Sequence, residues 1–395
     1  MSHTQLSPAA VEELGRELDA IRGEVTASRG ERDRAYILRL IRVQRSLALG
    51  GRIVMALSLF LMPSTARYAF TGWPPLFVVL GLGSTMLALA KIIENMEIGH
   101  NVMHAQWDWM RDPNIQSNTW EWDSVCPSDQ WKHSHNVVHH TWTNVLGKDP
   151  DVGYGVLRVT PAQPWAPKYL AQPLTNVLLM LAFEWGVAAH DLEPHKLFSG
   201  EKELKSVRPM LRRIAWKARR QLLKDYVLWP ALLALASVPV SLFLRIDVAH
   251  IARLTFEATA GGNLVANVIR NVWSNIIIFC GHFPAGVHHF TAADVEGETR
   301  ARWYVRQLLG SCNISGGKLF HVLSGNLSHQ IEHHLFPDLP SNRYPEIAPR
   351  VRALAARYGL PYNTGSLVRQ FGSTTWTIWR LSFPGGAPDE ARGRA

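Results

Sequence analysis

Residues 76–104 read LFVVLGLGSTMLALAKIIENMEIGHNVMH, an apolar run that meets its first charge at Lys91 and then presents His100 and His104. At about 1.5 Å of helix rise per residue, the part from 76 to 93 is long enough to cross the hydrocarbon of a bilayer. With Lys91 at the interface, the same helix carries His100 about two to three turns beyond it. This one stretch therefore announces a membrane helix that protrudes and delivers imidazoles.

Working outward, a second apolar run occupies 47–66, and the connector to 75 holds Gly72, Trp73, Pro74 and Pro75, turn formers with an interfacial aromatic. The two runs form a hairpin. A later pair spans 226–244 and 251–279. The last run is too long for one crossing and carries Arg270, costly in lipid; with Arg270 at the interface, its helix lifts His282 about 18 Å further. The stretch 174–189 is short and interrupted by Glu184, so it is expected in the interface plane. The expected fold is all-α and integral to a membrane, with four transmembrane helices in two hairpins and a cytosolic helical cap.

Lysine and arginine collect in the N-terminal segment and in 196–224, whereas the hairpin tips offer only Arg67, Arg245 and Arg253. Basic residues accumulate on the cytoplasmic side, which puts both termini in the cytoplasm and the chain in the cell inner membrane. Residues 1–46 form a basic amphipathic segment: Ser7 and Pro8 open a helix, and Val11, Leu14, Leu18, Ile21 and Val25 recur at alternating three and four spacing. Residues 47–384 hold the membrane domain and 385–395 a flexible tail.

Composition agrees. Of 395 residues 47% are hydrophobic and 18% charged, which excludes disorder and collagen, and Cys126, Cys280 and Cys312 are too few and scattered for a disulfide scaffold. The net charge of +9 sits beside the spans, as for membrane lipid rather than nucleic acid. The first thirty residues lack the apolar core of a secretory signal.

The histidines carry the chemistry. His100 and His104 lie one helical turn apart; His135 and His139 repeat the spacing and His140 points about 100° away; His333 and His334 follow, with His329 one turn before His333. Eight or so imidazoles exceed the four ligands of one zinc, which implies two metals. A zincin His-Glu-x-x-His is missing, and Glu97-Ile-Gly-His100 supplies only one of the two Glu-x-x-His motifs of a carboxylate di-iron bundle. Glu97, Asp108, Asp149, Asp151 and Glu332 are accordingly read as outer partners that orient imidazoles, with Gln330 beside them.

His-x-x-x-His, His-x-x-x-His-His and Gln-x-x-His-His, in this order around two hairpins, resemble the membrane fatty acid desaturases, over about 91–345. The stretches 94–109, 135–154, 267–284 and 324–345 (SGNLSHQIEHHLFPDLPSNRYP) resemble the acyl-CoA desaturases of actinobacteria, including the mycobacterial stearoyl-CoA Δ9 type. The resemblance implies a non-heme di-iron centre held by His100, His104, His135, His139, His140, His333 and His334, with His282 as a further ligand. Gln330 stands where relatives place a histidine, so His329 or a water completes the shell; His133, His288, His289 and His321 are left to outer or surface roles. It also implies O2-dependent insertion of a cis double bond into a long-chain acyl-CoA or acyl-lipid. Removing hydrogen from an unactivated methylene is beyond any protein acid or base and needs a metal. No His-Pro-Gly-Gly of a fused cytochrome b5 occurs, so electrons are expected from a separate NAD(P)H-dependent reductase or ferredoxin-type donor; the basic 196–224 stretch is open to that donor, to anionic lipid headgroups or to the phosphates of a coenzyme A thioester. Two rival readings are a di-iron hydroxylase of lipids or alkanes, which would insert oxygen, and a membrane metal transporter, which would bind metal near the bilayer midplane.

Overall fold

The computed structural model describes residues 6–61, 69–198 and 200–385. Ser7 caps α1 (Pro8–Ala27) by accepting the Ala10 N–H, and Pro8 occupies the first turn, where no donor is needed. The Val11, Leu14, Leu18, Ile21 and Val25 stripe is buried against Tyr304, Ile331, Leu335 and Phe336 from the far end of the chain. The stripe thus serves the protein's own core. Gly15 permits this approach, since a Cβ there would stand 2.6 Å from Ala301 Cβ.

After α1, α2 (Glu31–Leu57) runs unbroken from the arginine-rich segment into the first apolar run and packs along α3 (Ala69–Ile92). The end of that run, 62–68, lies outside the described residues. α3 continues through π-helical Ile93–Gly99 into α4 (His100–Met103), and α5 (Ser128–Trp131) through π-helical Lys132–His139 into α6 (His140–Trp142). Next come α7 (Gln172–Leu181), α8 (Phe183–His190) and α9 (Pro194–Phe198). α10 (Leu204–Leu223) and α11 (Trp229–Leu244) join through a π turn, and α12 (Val248–His282) packs against both α11 and α3. α13 (Arg300–Leu309), α14 (Lys318–Leu323), α15 (Gln330–Leu335), α16 (Tyr344–Arg357) and α17 (Leu367–Arg380) complete the chain. Strands β1 (Asn313–Ser315) and β2 (Thr364–Ser366) pair in parallel.

Among the described residues three helices, Pro75–Met103, Leu204–Leu244 and Val248–His282, are long and apolar enough to cross a membrane. A fourth candidate is the pair Pro167–Leu181 and Phe183–His190, bent by 102°. The 174–189 stretch is therefore not one in-plane helix. It breaks at Ala182 because Glu184 turns inward to pair with Arg270, which is only 2% exposed. Lys91 likewise meets Asp225 at 3.0 Å and Asp123 at 3.4 Å. Charges within apolar helices are costly unless paired, and here each has an internal partner.

Candidate metal centre

The two π turns aim the first two histidine motifs. The His100 N–H bonds to Asn95 O, and the His140 N–H to His135 O, each one residue wider than an α-helical bond. In the second motif this separates a pair that spacing alone would join. His135 gathers with His100, His104 and His333, whereas His139 gathers with His282 and His334; within each group the donor atoms lie inside 4.8 Å of one another. His135 and His139 also form a third such group with Asp151. His140 sits between the first two, its ring 4.7 Å from His104 and stacked 4.5 Å from His334. His282 arrives as the last residue of α12, beside Gln330, whose Nε2 is 2.9 Å from its Nε2.

Partners on Nδ1 orient the rings. His139 Nδ1 donates to Asp149 at 3.0 Å, His334 Nδ1 to Gln307 Oε1 at 3.0 Å and His100 Nδ1 to Asn101 Oδ1 at 3.1 Å, while the Tyr344 hydroxyl lies 3.4 Å from His333 Nδ1. Such bonds fix the tautomer and leave the Nε2 lone pair free. Among the described residues, Nε2 of His104, His135, His139 and His333 and both nitrogens of His140 are buried without a hydrogen-bond partner. Buried polar atoms rarely go unmatched; so many converging lone pairs fit metal ions.

Electrostatics point the same way. Burial, reinforced by neighbouring imidazoles, pushes His104, His140, His333 and His334 well below the ordinary histidine range, so they are neutral as ligands must be. Burial opposes charge on His139 too, yet Asp149 and Asp151 outweigh it and raise the imidazole to about 9. That local negative charge suits a bound cation.

Of the expected outer carboxylates Asp149 and Asp151 face the imidazoles, whereas Asp108, Glu97 and Glu332 act elsewhere. Asp151 accepts from His190 Nε2 at 3.0 Å and lies 3.5 Å from His139 Nδ1. Asp108 instead holds the Ser117 N–H and hydroxyl, at 2.8 and 2.6 Å, because its loop turns it from the imidazoles. Glu97 accepts from Tyr36, Asn326 and Ser341, tying α3's extension to α2 and the third motif. Glu332 accepts from Asn313 and Tyr362, both at 2.8 Å, and approaches only His329, at 3.9 Å. His329 joins neither the four-imidazole nor the three-imidazole group: its 3₁₀ turn stacks it on His321, ring centroids 4.6 Å apart. Asn101, Gln307, Tyr344 and His190 escape the sequence reading; their partners lie far along the chain or in no recognisable spacing.

A largely apolar cavity opens onto His100, His135, His139 and His282 and is walled by Trp131, Tyr154 and Phe283. Trp131 stacks on His135, ring centroids 4.3 Å apart.

Apolar helices leading into clustered buried imidazoles define a membrane-embedded histidine-rich metal enzyme. Residues 71–366 match the fatty acid desaturase family profile, and the chain belongs to that family. It is 49% identical to an NADPH-dependent stearoyl-CoA 9-desaturase of Mycobacterium tuberculosis (strain ATCC 25618 / H37Rv), over 96% of this chain and 82% of the relative. It is 24% identical to an sn-1 linoleoyl-lipid 6-desaturase of Synechocystis sp., over 75% of this chain and 80% of the relative. An acyl-lipid (7-3)-desaturase of Rebecca salina is 26% identical over 59% of this chain and 48% of the relative. No solved structure matches significantly. The chain is an oxidoreductase, an O2-dependent acyl desaturase with a histidine-ligated di-iron centre.

Proposed function

We propose that this enzyme introduces a cis double bond at the Δ9 position of a saturated long-chain acyl-CoA, with electrons from a separate NADPH-dependent reductase. The 49% identity to the mycobacterial stearoyl-CoA 9-desaturase across 96% of the chain carries this reading. One iron is assigned to His100, His104, His135 and His333, and the other to His139, His282 and His334, with His140 between them and Gln330 beside His282. The iron pair supplies the O2 chemistry that breaks unactivated C–H bonds. Burial holds His104, His140, His333 and His334 neutral, Asp149, Gln307, Asn101 and Tyr344 orient the rings they touch, and the aromatic cavity wall excludes water. Residues 47–384 form the catalytic domain, and both termini lie in the cytoplasm, supported by the arginines of 29–45 and the exposed Arg208, Arg212, Arg219 and Arg220 of α10. That basic face is assigned to the reductase.

The test is the fatty acid profile, with double-bond location by mass spectrometry, of a host expressing the reductase with this chain or with its His139→Ala variant. A Δ9 alkene seen only with the intact chain is expected. An alkene elsewhere overturns the assigned position, and an oxygenated acid overturns desaturation in favour of hydroxylation.

A further inference from the structure

α17 begins at Leu367, just past the end of the family match at residue 366, and its faces are reversed relative to a helix on a soluble protein. Gln370, Thr374 and Ile378 point inward and are buried. The Gln370 amide donates to Cys312 Sγ at 2.8 Å and to Asn313 O at 3.3 Å. Val368, Trp376, Trp379 and Phe383 point outward, 83%, 58%, 47% and 47% exposed. At 100° per residue Val368, Trp376 and Trp379 fall within one narrow stripe; the two tryptophan rings stack 4.9 Å apart, and Phe383, in the turn after the helix, meets Trp379 edge-on at 5.6 Å. Exposed Arg369 and Arg380 flank the stripe.

α7, packed against α17, shows the same inversion: Gln172 and Asn176 are buried, while Leu174, Val177 and Leu178 are exposed. The Gln172 amide bonds to Ile378 O, and the Trp165 indole to Ser382 O at 2.8 Å, which locks the two helices together. Both also pack on α12, one of the helices able to cross a membrane. A polar-in, apolar-out helix with tryptophans and flanking arginines is what the headgroup boundary of a bilayer selects.

We propose that α17, with α7, forms a collar lying in the membrane interface, its Val368, Trp376 and Trp379 stripe and Phe383 inserted among lipid chains. On the inner side Ile378 packs with Phe183, Phe279 and Phe283, and Phe183 and Phe283 line the cavity beside the imidazoles. Through Ile378 the collar therefore backs part of that cavity's apolar wall. The inference stands apart from the choice of acyl substrate.

The test uses the full chain in vesicles of phosphatidylcholine and phosphatidylglycerol, spin-labelled at single introduced cysteines; Cys126, Cys280 and Cys312 are buried and shielded from label. Val368→Cys, Trp376→Cys and Trp379→Cys are compared with Ala353→Cys on the exposed face of α16. Collisions with O2 should exceed those with a water-soluble nickel chelate at the three α17 sites, with the order reversed at residue 353. Equal access of the nickel chelate at all four sites would overturn the collar by placing the stripe in water. Protection from both reagents would overturn it in favour of a protein covering that face.

Discussion

Arg343 grips Asp33 at two points, Nε to Oδ1 at 2.7 Å and Nη2 to Oδ2 at 2.8 Å, across 310 residues of chain. Asn342 donates to the same carboxylate at 2.8 Å, and the Gly30 N–H closes the start of α2 on it at 3.1 Å. The first turn of α2 is thereby bolted to the 3₁₀ turn that follows the third histidine motif. Without Asp33, Arg343 keeps only Glu346 at 3.3 Å and Ser28 O at 2.8 Å, and the lost charged hydrogen bonds cost about 1.5–3 kcal/mol. Asp33→Ala should lower the melting temperature markedly, whereas Asp33→Leu with Arg343→Met should recover most of the loss. Equal melting of the single and double variants would show that the pair does not bolt these segments.

Gln307 lies on α13, remote in sequence from every histidine motif, yet its amide oxygen holds His334 Nδ1. Gln307→Leu keeps the volume and removes the acceptor, so His334 can rotate and change tautomer. Loss of such a partner costs about 10–100-fold in metal affinity. Competition with a chelator should show that loss for one of the two irons, with melting little changed. Unaltered iron affinity would mean that Thr143, 3.3 Å from the same nitrogen, suffices.

The ligand assignment separates histidines that composition cannot. His139→Ala or His334→Ala should abolish desaturation and lower bound iron, because each removes a nitrogen from the His139, His282 and His334 group. His288→Ala or His289→Ala should leave both intact, since neither residue belongs to a metal-competent group. Iron content measured beside product formation distinguishes a lost ligand from a lost fold. Full activity of the His139 variant would refute the assignment.

Much of this was open to reading because hydrophobic runs and four-residue histidine spacing are local signals. The long apolar helices that carry His100 and His282 follow from run length, although Lys91 and Arg270 along them are buried in internal ion pairs. The division of His135 from His139 does not follow, since a π turn leaves no mark in spacing. Asp108 stands close to His104 in sequence, but its loop spends the carboxylate on Ser117. Glu184 reads as an interruption of an interfacial helix; only the approach of α12 shows that it neutralises Arg270. A local π turn, a nine-residue loop contact and a pairing 86 residues apart decide these in turn, and none of them is marked by spacing.

Gly325 tests how tightly the first and third motifs are fitted. Its φ of +71° lies in the left-handed region, and a Cβ there would stand 2.4 Å from Met96 O and 2.7 Å from Met96 C. Met96 belongs to the π turn that aims His100, and Gly325 O accepts from Asn101. An alanine at 325 therefore meets two penalties: about 1–2 kcal/mol for the left-handed backbone, and a clash with main chain that cannot rotate away. Gly359, at φ +64° with open space around it, isolates the first penalty. Gly359→Ala should lower the melting temperature slightly and leave iron and activity unchanged, while Gly325→Ala should lower melting further and reduce bound iron by displacing His100. Matching losses in both variants would show that contact with Met96 does not position the first motif.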